Sequence, residues 1–176
     1  MIGCIATAPS VGRLSSLSPC RSTGGNLDVP SIAGGATIWI PVKVEGGLFA
    51  LGDLHAAMGN GEPAGCGLEC GGVVTGRVWF VSATRLPGVR IESKHEISFI
   101  GSDNDNYVVA RAKAINAAWQ WLTAECEVPG EAALAVSAGL MQLKLGGPAG
   151  TNIIASFPLE ALRAIGIKPL LHTIPS

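Results

Sequence analysis

Residues 48–69, LFALGDLHAAMGNGEPAGCGLE, gather Asp53, His55, Glu62 and Glu69 among five glycines, in a chain whose charged residues make up only 14 %. Asp53 and His55 stand two apart, after the apolar run Leu48, Phe49, Ala50, Leu51. If that run is a strand, alternation sends both side chains to one face. A carboxylate and an imidazole entering one space make half of a metal site or an acid/base pair. Taken alone the D-x-H spacing also fits a turn-capping aspartate beside a core histidine.

A second polar focus is Gly24-Gly25-Asn26-Leu27-Asp28. The glycines permit close backbone approach, and Asn26 and Asp28 share a face if the segment is extended. Asp28 is then a candidate ligand or charge partner for Asp53 and His55; a turn with Asx hydrogen bonds is the simpler alternative. His95, between two glutamates on an alternating segment, and His172, near the C-terminus, read as structural. Cys66 and Cys70 form a lone C-x3-C pair, and the five cysteines lack the spacing of a disulfide framework. A nucleophilic role for Cys66 would need His55 as its base.

The elements that must carry these residues follow from periodicity and punctuation. Of the 24 glycines 17 lie before residue 90, which predicts strands joined by tight turns there. Strands are expected at 2–6, 36–44, 48–51, 67–70, 73–82 and 89–100. The turn at 45–47 suggests that 36–44 and 48–51 form a hairpin bearing the site. Residues 56–65, too rich in Gly for a helix, should wrap the site as a loop. The polar run 102–106 caps a helix at 107–125 whose apolar stripe is Val108, Ala112, Ile115, Trp119 and Leu122. A shorter helix at 131–138, strands at 141–145 and 152–157, and a last helical turn at 159–165 complete the chain. The expected class is α+β: a β-rich, sandwich- or barrel-like domain over 1–101 carrying the site, and a C-terminal helix–helix–β-hairpin lobe over 102–176.

With 48 % hydrophobic residues and net charge −1, the chain is globular and lacks the basic footprint of a nucleic-acid binder. No apolar run reaches the roughly 20 residues of a membrane span, and the start does not resemble a signal peptide, so a cytoplasmic location is expected.

GGNLD at 24–28, IPVKVEGGLFALGD at 40–53 and above all LGDLHAAMGNGEPAGCGLE at 51–69 closely resemble motifs of the acetamidase/formamidase family, as does the opening IGCIATAP. Leu54, Met58 and Asn60 replace the family's usual Gly, Gln and Asp, and the chain starts where the family's second half starts. The resemblance implies hydrolysis of the C–N bond of a small amide, releasing ammonia and a carboxylate. Asp28, Asp53 and His55 are suited as ligands of a divalent ion, Zn²⁺ first, with Ca²⁺ or Mg²⁺ as alternatives. Glu69 is the expected proton carrier, with Glu62 in reserve and His55 in the catalytic set. Backbone amides of the 59–65 loop, with Gly59 and Gly61, and the side chain of Asn26 are expected to hold the substrate. The rival expectation is a non-catalytic half-chain, either a subunit of a split amidase or a metal-free binding domain. The half-length match also predicts a homo-oligomer, or a separate chain supplying the first half.

Overall fold

The computed structural model describes residues 1–82, 86–103, 106–148 and 150–169. His172, Arg85 and two members of the acidic run, Asn104 and Asp105, lie outside the described residues. The class is α+β, with two antiparallel sheets. The strands are β1 (Ile2–Ala6), β2 (Gly24–Asn26), β3 (Thr37–Trp39), β4 (Ala50–Ala57), β5 (Leu68–Glu69), β6 (Arg90–Glu92), β7 (Glu96–Ser102), β8 (Gln142–Gly146) and β9 (Asn152–Pro158). Helices are α1 (Tyr107–Gln120), continued by a π-helical turn Trp121–Glu125, then α2 (Gly130–Leu140) and α3 (Leu159–Ala164). One sheet runs β2-β1-β4-β5 and the other β3-β6-β7-β9-β8.

Two expectations are corrected. The segment 36–44 does not pair with 48–51: β3 joins β6, and β4 joins β1 with Ile5 opposite Leu51. The turn at 45–47 therefore passes the chain from one sheet to the other, and the site strand is central in its sheet, flanked by β1 and β5. Residues 71–82 form no strand and are exposed throughout, including Val73, Val78 and Phe80. Their imperfect alternation marks apolar side chains that none of the described residues covers. The boundary placed at 101/102 falls within β7, which pairs along its length with β9, so residues from both sides share one sheet.

The five-stranded sheet has two apolar faces because β7 and β9 alternate within a buried environment. Ile97, Phe99, Ile153, Ala155 and Phe157 meet α1 and the π-helical turn, while Ile91, Ile100 and Ile154 pack on Ile5, Leu27, Val29 and Ile32. Helix α1 starts where expected, Asn106 Oδ1 accepting from the Val108 and Val109 amides at 3.1 and 3.2 Å. Its buried face, however, is Ala110, Ala114, Ala117 and Ala118, and it is Trp121 rather than Trp119 that enters the core. Val108 is exposed. Of the expected stripe Leu122 is in the core and Trp119 packs at its edge, whereas along α1 the helix sits too close to the sheet for larger residues. At Gly101 of β7 an added Cβ would strike the Ala110 carbonyl and come within 2.5 Å of the Ala114 amide nitrogen.

Gly101→Ala should therefore destabilise the chain by at least about 2 kcal/mol, by forcing backbone apart in a filled core. Urea denaturation measures it, and a loss below about 0.5 kcal/mol would contradict this seating of α1.

Candidate metal and hydrolytic site

The site lies where the first sheet meets the β8–β9 end of the second. Strand β4 delivers Asp53 and His55; the segment leaving β2 delivers Asp28; the loop after β4 delivers Glu62; and β5 delivers Glu69, opposite His55 in register. Asp28, Asp53 and His55 each bring one ligand atom within 4.8 Å of the others. His55 Nδ1 is 3.8 Å from Asp28 Oδ1, and Nε2 is 3.5 Å from Asp53 Oδ1 and 3.1 Å from Glu69 Oε1. Asp28, His55 and Glu62 are buried, whereas Asp53 and Glu69 open toward solvent.

Alternation alone does not aim these groups. Asp28, Asp53 and Glu62 have φ of 44, 62 and 46°, in the left-handed region that non-glycine residues avoid. Strain of that kind persists only where surrounding contacts over-determine it, and it clusters at functional sites. Three glycines make the room. A Cβ on Gly3 would lie 2.5 Å from Asp28 Oδ1 and 2.8 Å from Asp53 Oδ2; one on Gly67, 2.6 Å from His55 Cγ; one on Gly147, 2.8 Å from Asp28 Oδ2 and 2.9 Å from Glu62 Oε2. Sequence reasoning missed these positions, although glycine inside an apolar strand, as at Gly3, signals close approach.

It also missed Cys4, whose thiol donates to Asp53 Oδ2 at 3.4 Å and to Asn26 Oδ1 at 3.5 Å. Burial first, then the Asp53 hydrogen bond and the charges of Asp53, Asp28 and Glu62, push this thiol up to about 12, so it stays protonated as a donor. Asp28 is pushed up to about 6, by burial foremost and then by Glu62 and Asp53, with His55 opposing. Three carboxylates thus surround one imidazole, with Glu62 beside Asp28. Asp28 Oδ1 and His55 Nδ1 are buried without a hydrogen-bond partner. Unsatisfied buried acceptors of that kind fit a cation, and two carboxylate oxygens with one imidazole nitrogen suit a divalent one.

The site floors a cleft of about 1000 Å³ lined by Asn26, Asp28, Asp53, His55, Glu62 and Glu69 among others. Asn26 is mostly buried at its wall. From the loop after β4, Glu62, Gly65 and Cys66 reach the cleft. Gly59 is exposed, and Gly61 packs against Leu145 of β8, so neither is among the lining residues. His95 is exposed in the turn between β6 and β7.

Fold and site define a two-sheet α+β protein with a buried carboxylate–imidazole centre at the floor of an open cleft. Residues 12–85 match the model of the acetamidase/formamidase family. An acetamidase from Mycolicibacterium smegmatis is 44 % identical over 57 residues, covering 32 % of this chain and 14 % of that protein. The crystal structure of an acetamidase from Yersinia enterocolitica superposes with a TM-score of 0.78 at 26 % identity, over 92 % of this chain and 49 % of that one. A predicted acetamidase/formamidase from the thermophile Thermoanaerobacter tengcongensis also gives 0.78 at 26 % identity, over 96 % and 56 %. Over residues 12–85 the chain is similar to the acetamidase/formamidase family, and it spans about half the length of these solved relatives. No helix among the described residues is long and apolar enough to cross a membrane.

Two outcomes are expected. Gly67→Ala drives a methyl into the His55 ring and should abolish divalent-ion binding in calorimetry while the chain stays folded by circular dichroism; ion binding at the unsubstituted level would refute the cradle. The second concerns Asp28. Its folded value of about 6 exceeds its ordinary 3.8, so between them the folded state holds the extra proton. This contribution to metal-free stability is full below 3.8 and is lost as pH rises through about 6. Ion affinity should move oppositely, weakening as pH falls below about 6 because the proton competes for Asp28. Thermal melts and ion titrations across that window check both signs.

Proposed function

We propose that this chain carries the hydrolytic centre of a metal-dependent amidase acting on small linear amides of the formamide/acetamide class. The observation that carries the reading is three carboxylates crowded on one buried imidazole, with unpaired ligand atoms on Asp28 and His55. The similarity to the acetamidase/formamidase family supports the reaction class.

Asp28, Asp53 and His55 would hold the ion, and whichever ring nitrogen does so, the other keeps a carboxylate neighbour to fix the ring. A bound divalent ion, Zn²⁺ by the donor set, polarises an amide carbonyl and lowers the pKa of a water to about 7. Glu69 suits proton transfer better than Glu62 does: it stands 3.1 Å from His55 Nε2 and opens to solvent, whereas Glu62 is buried beside Asp28. Glu69 takes the proton from the attacking water as the C–O bond forms and gives it to the nitrogen as the C–N bond breaks, so ammonia leaves and a carboxylate remains. Asn26, at the cleft wall, orients the amide.

The test is ammonia release from formamide and acetamide by the purified chain, with and without added Zn²⁺, Ca²⁺ or Mg²⁺. His55→Ala should lose the ion and all turnover. Glu69→Gln should keep the ion and lose about 10²-fold or more in kcat. Absence of both bound ion and ammonia in every preparation would end this reading.

A second reading has its own support. Val73, Val78 and Phe80 are 93, 74 and 77 % exposed, and exposed apolar runs mark interfaces. The chain would then work as a homo-oligomer, or as one subunit of a split amidase completed by a separate β-rich chain. Under this reading turnover appears only when that second chain is added, or sedimentation shows a stable oligomer.

A further inference from the structure

Asn152, the first residue of β9, is wholly buried and touches no cleft, yet its side chain reaches the backbone that bears Asp28. Its Nδ2 donates to the Asn26 carbonyl at 2.9 Å, to the Leu27 carbonyl at 3.2 Å and to the Gly147 carbonyl. Those three oxygens can only accept, so the amide must turn its NH₂ toward them. Its Oδ1 accepts in turn from the Cys20 thiol at 3.3 Å. The same stretch is gripped from two other sides. The Leu27 and Asp28 amides both donate to the Gly3 carbonyl at 3.0 and 3.1 Å, and the Gly147 amide donates to the Asp28 carbonyl at 3.1 Å. Every backbone polar group of Leu27 and Asp28 is therefore paired. That completeness is what a residue held at φ 44° requires, because nothing in Asp28 itself favours the left-handed region strongly enough.

We infer that Asn152 is a positioning residue for the ion: from the second sheet it fixes the backbone at 26–28 so that Asp28 faces His55 and Asp53. The inference rests on the metal-site reading above. Removing the amide leaves the Asn26 and Leu27 carbonyls buried and unpaired on one side, and the segment relaxes toward an ordinary φ. Asp28 then swings from its partners although no ligand has been changed. Cys20 contributes one step further out, by orienting the amide.

Zn²⁺ alone is the probe. Calorimetric titration compares the unsubstituted chain with Asn152→Ala, and with Leu162→Ala, a core substitution in the cluster packed under α1 and remote from the site. Asn152→Ala should lose about 10–100-fold in Zn²⁺ affinity, as outer-shell substitutions do, and should alter the visible spectrum of the Co²⁺-substituted chain. Leu162→Ala should lower the metal-free melting temperature at least as much, yet keep both affinity and spectrum. Affinity within twofold for Asn152→Ala overturns the inference, as does an equal loss in Leu162→Ala, which would make the effect one of stability alone. If Asn152→Ala does not fold, Cys20→Ala decides: a several-fold loss with Cys20→Ser restoring affinity supports the inference, and no change overturns it. Zn²⁺ binding by neither the variants nor the unsubstituted chain defeats the metal-site reading itself, and this inference with it.

Discussion

The concentration of negative charge around His55 is the constraint on which the rest depends. Asp28, Asp53 and Glu69 each stand within 3.8 Å of the ring, and Glu62 is close enough to Asp28 to help push its carboxyl up to about 6. Unpaired, such a group is costly to bury, because carboxylates withdrawn from water repel one another in a medium that screens poorly. A single imidazole answers only part of that charge. The divalent cation proposed for this site would answer the rest.

Holding like charges together also shapes the backbone. Three of the carboxylates sit at left-handed φ values, each an expense of the order of 1–3 kcal/mol. The compensation is spread over both sheets: the Gly3 carbonyl in β1, the Gly147 amide beyond β8 and the Asn152 amide in β9 hold the Asp28 segment from three directions. Glycines at 3, 67 and 147 supply the space that any larger side chain would fill. The second sheet, which contributes neither Asp28, Asp53 nor His55, is thus tied to the site through backbone hydrogen bonds. Its own rigidity comes from burial on both faces, with the alanine face of α1 pressed on one side and Leu27, Val29 and Ile32 on the other. Leu27 is itself the neighbour of Asp28, so the core and the site share a residue step.

Much of this was legible without coordinates. Asp53 and His55 stood out because polar residues are scarce and their spacing fits a strand. The C-terminal order of helix, helix and hairpin followed from 3.6-residue periodicity, the Asn106 cap and the glycine-rich turn between β8 and β9. What failed did so where partners are distant. The periodic stripe drawn through Val108, Ala112, Ile115, Trp119 and Leu122 met the core only toward its C-terminal end, at Leu122 and in part at Trp119. Along α1 the closeness of Gly101 instead selects alanine. The supposed hairpin at 36–51 had a suitable turn, but Thr37–Trp39 finds its partner at Arg90–Glu92, and no local signal encodes that pairing.

The sequence by itself determined the chemistry available: which residues can ligate, carry a proton or tolerate a strained backbone, and which segments are strand or helix. Those are properties of residue type and of near neighbours. Only the tertiary structure decided that Asp28 joins Asp53 and His55, that Gly59 and Gly61 stay outside the cleft, and that Asn152 reaches across 126 positions to the Asn26 carbonyl. The physical reason is that side-chain alternation sets direction within one strand, whereas distances between strands are set by core packing and sheet order. The D-x-H was therefore a half-site in the sequence, and the fold supplied its other half.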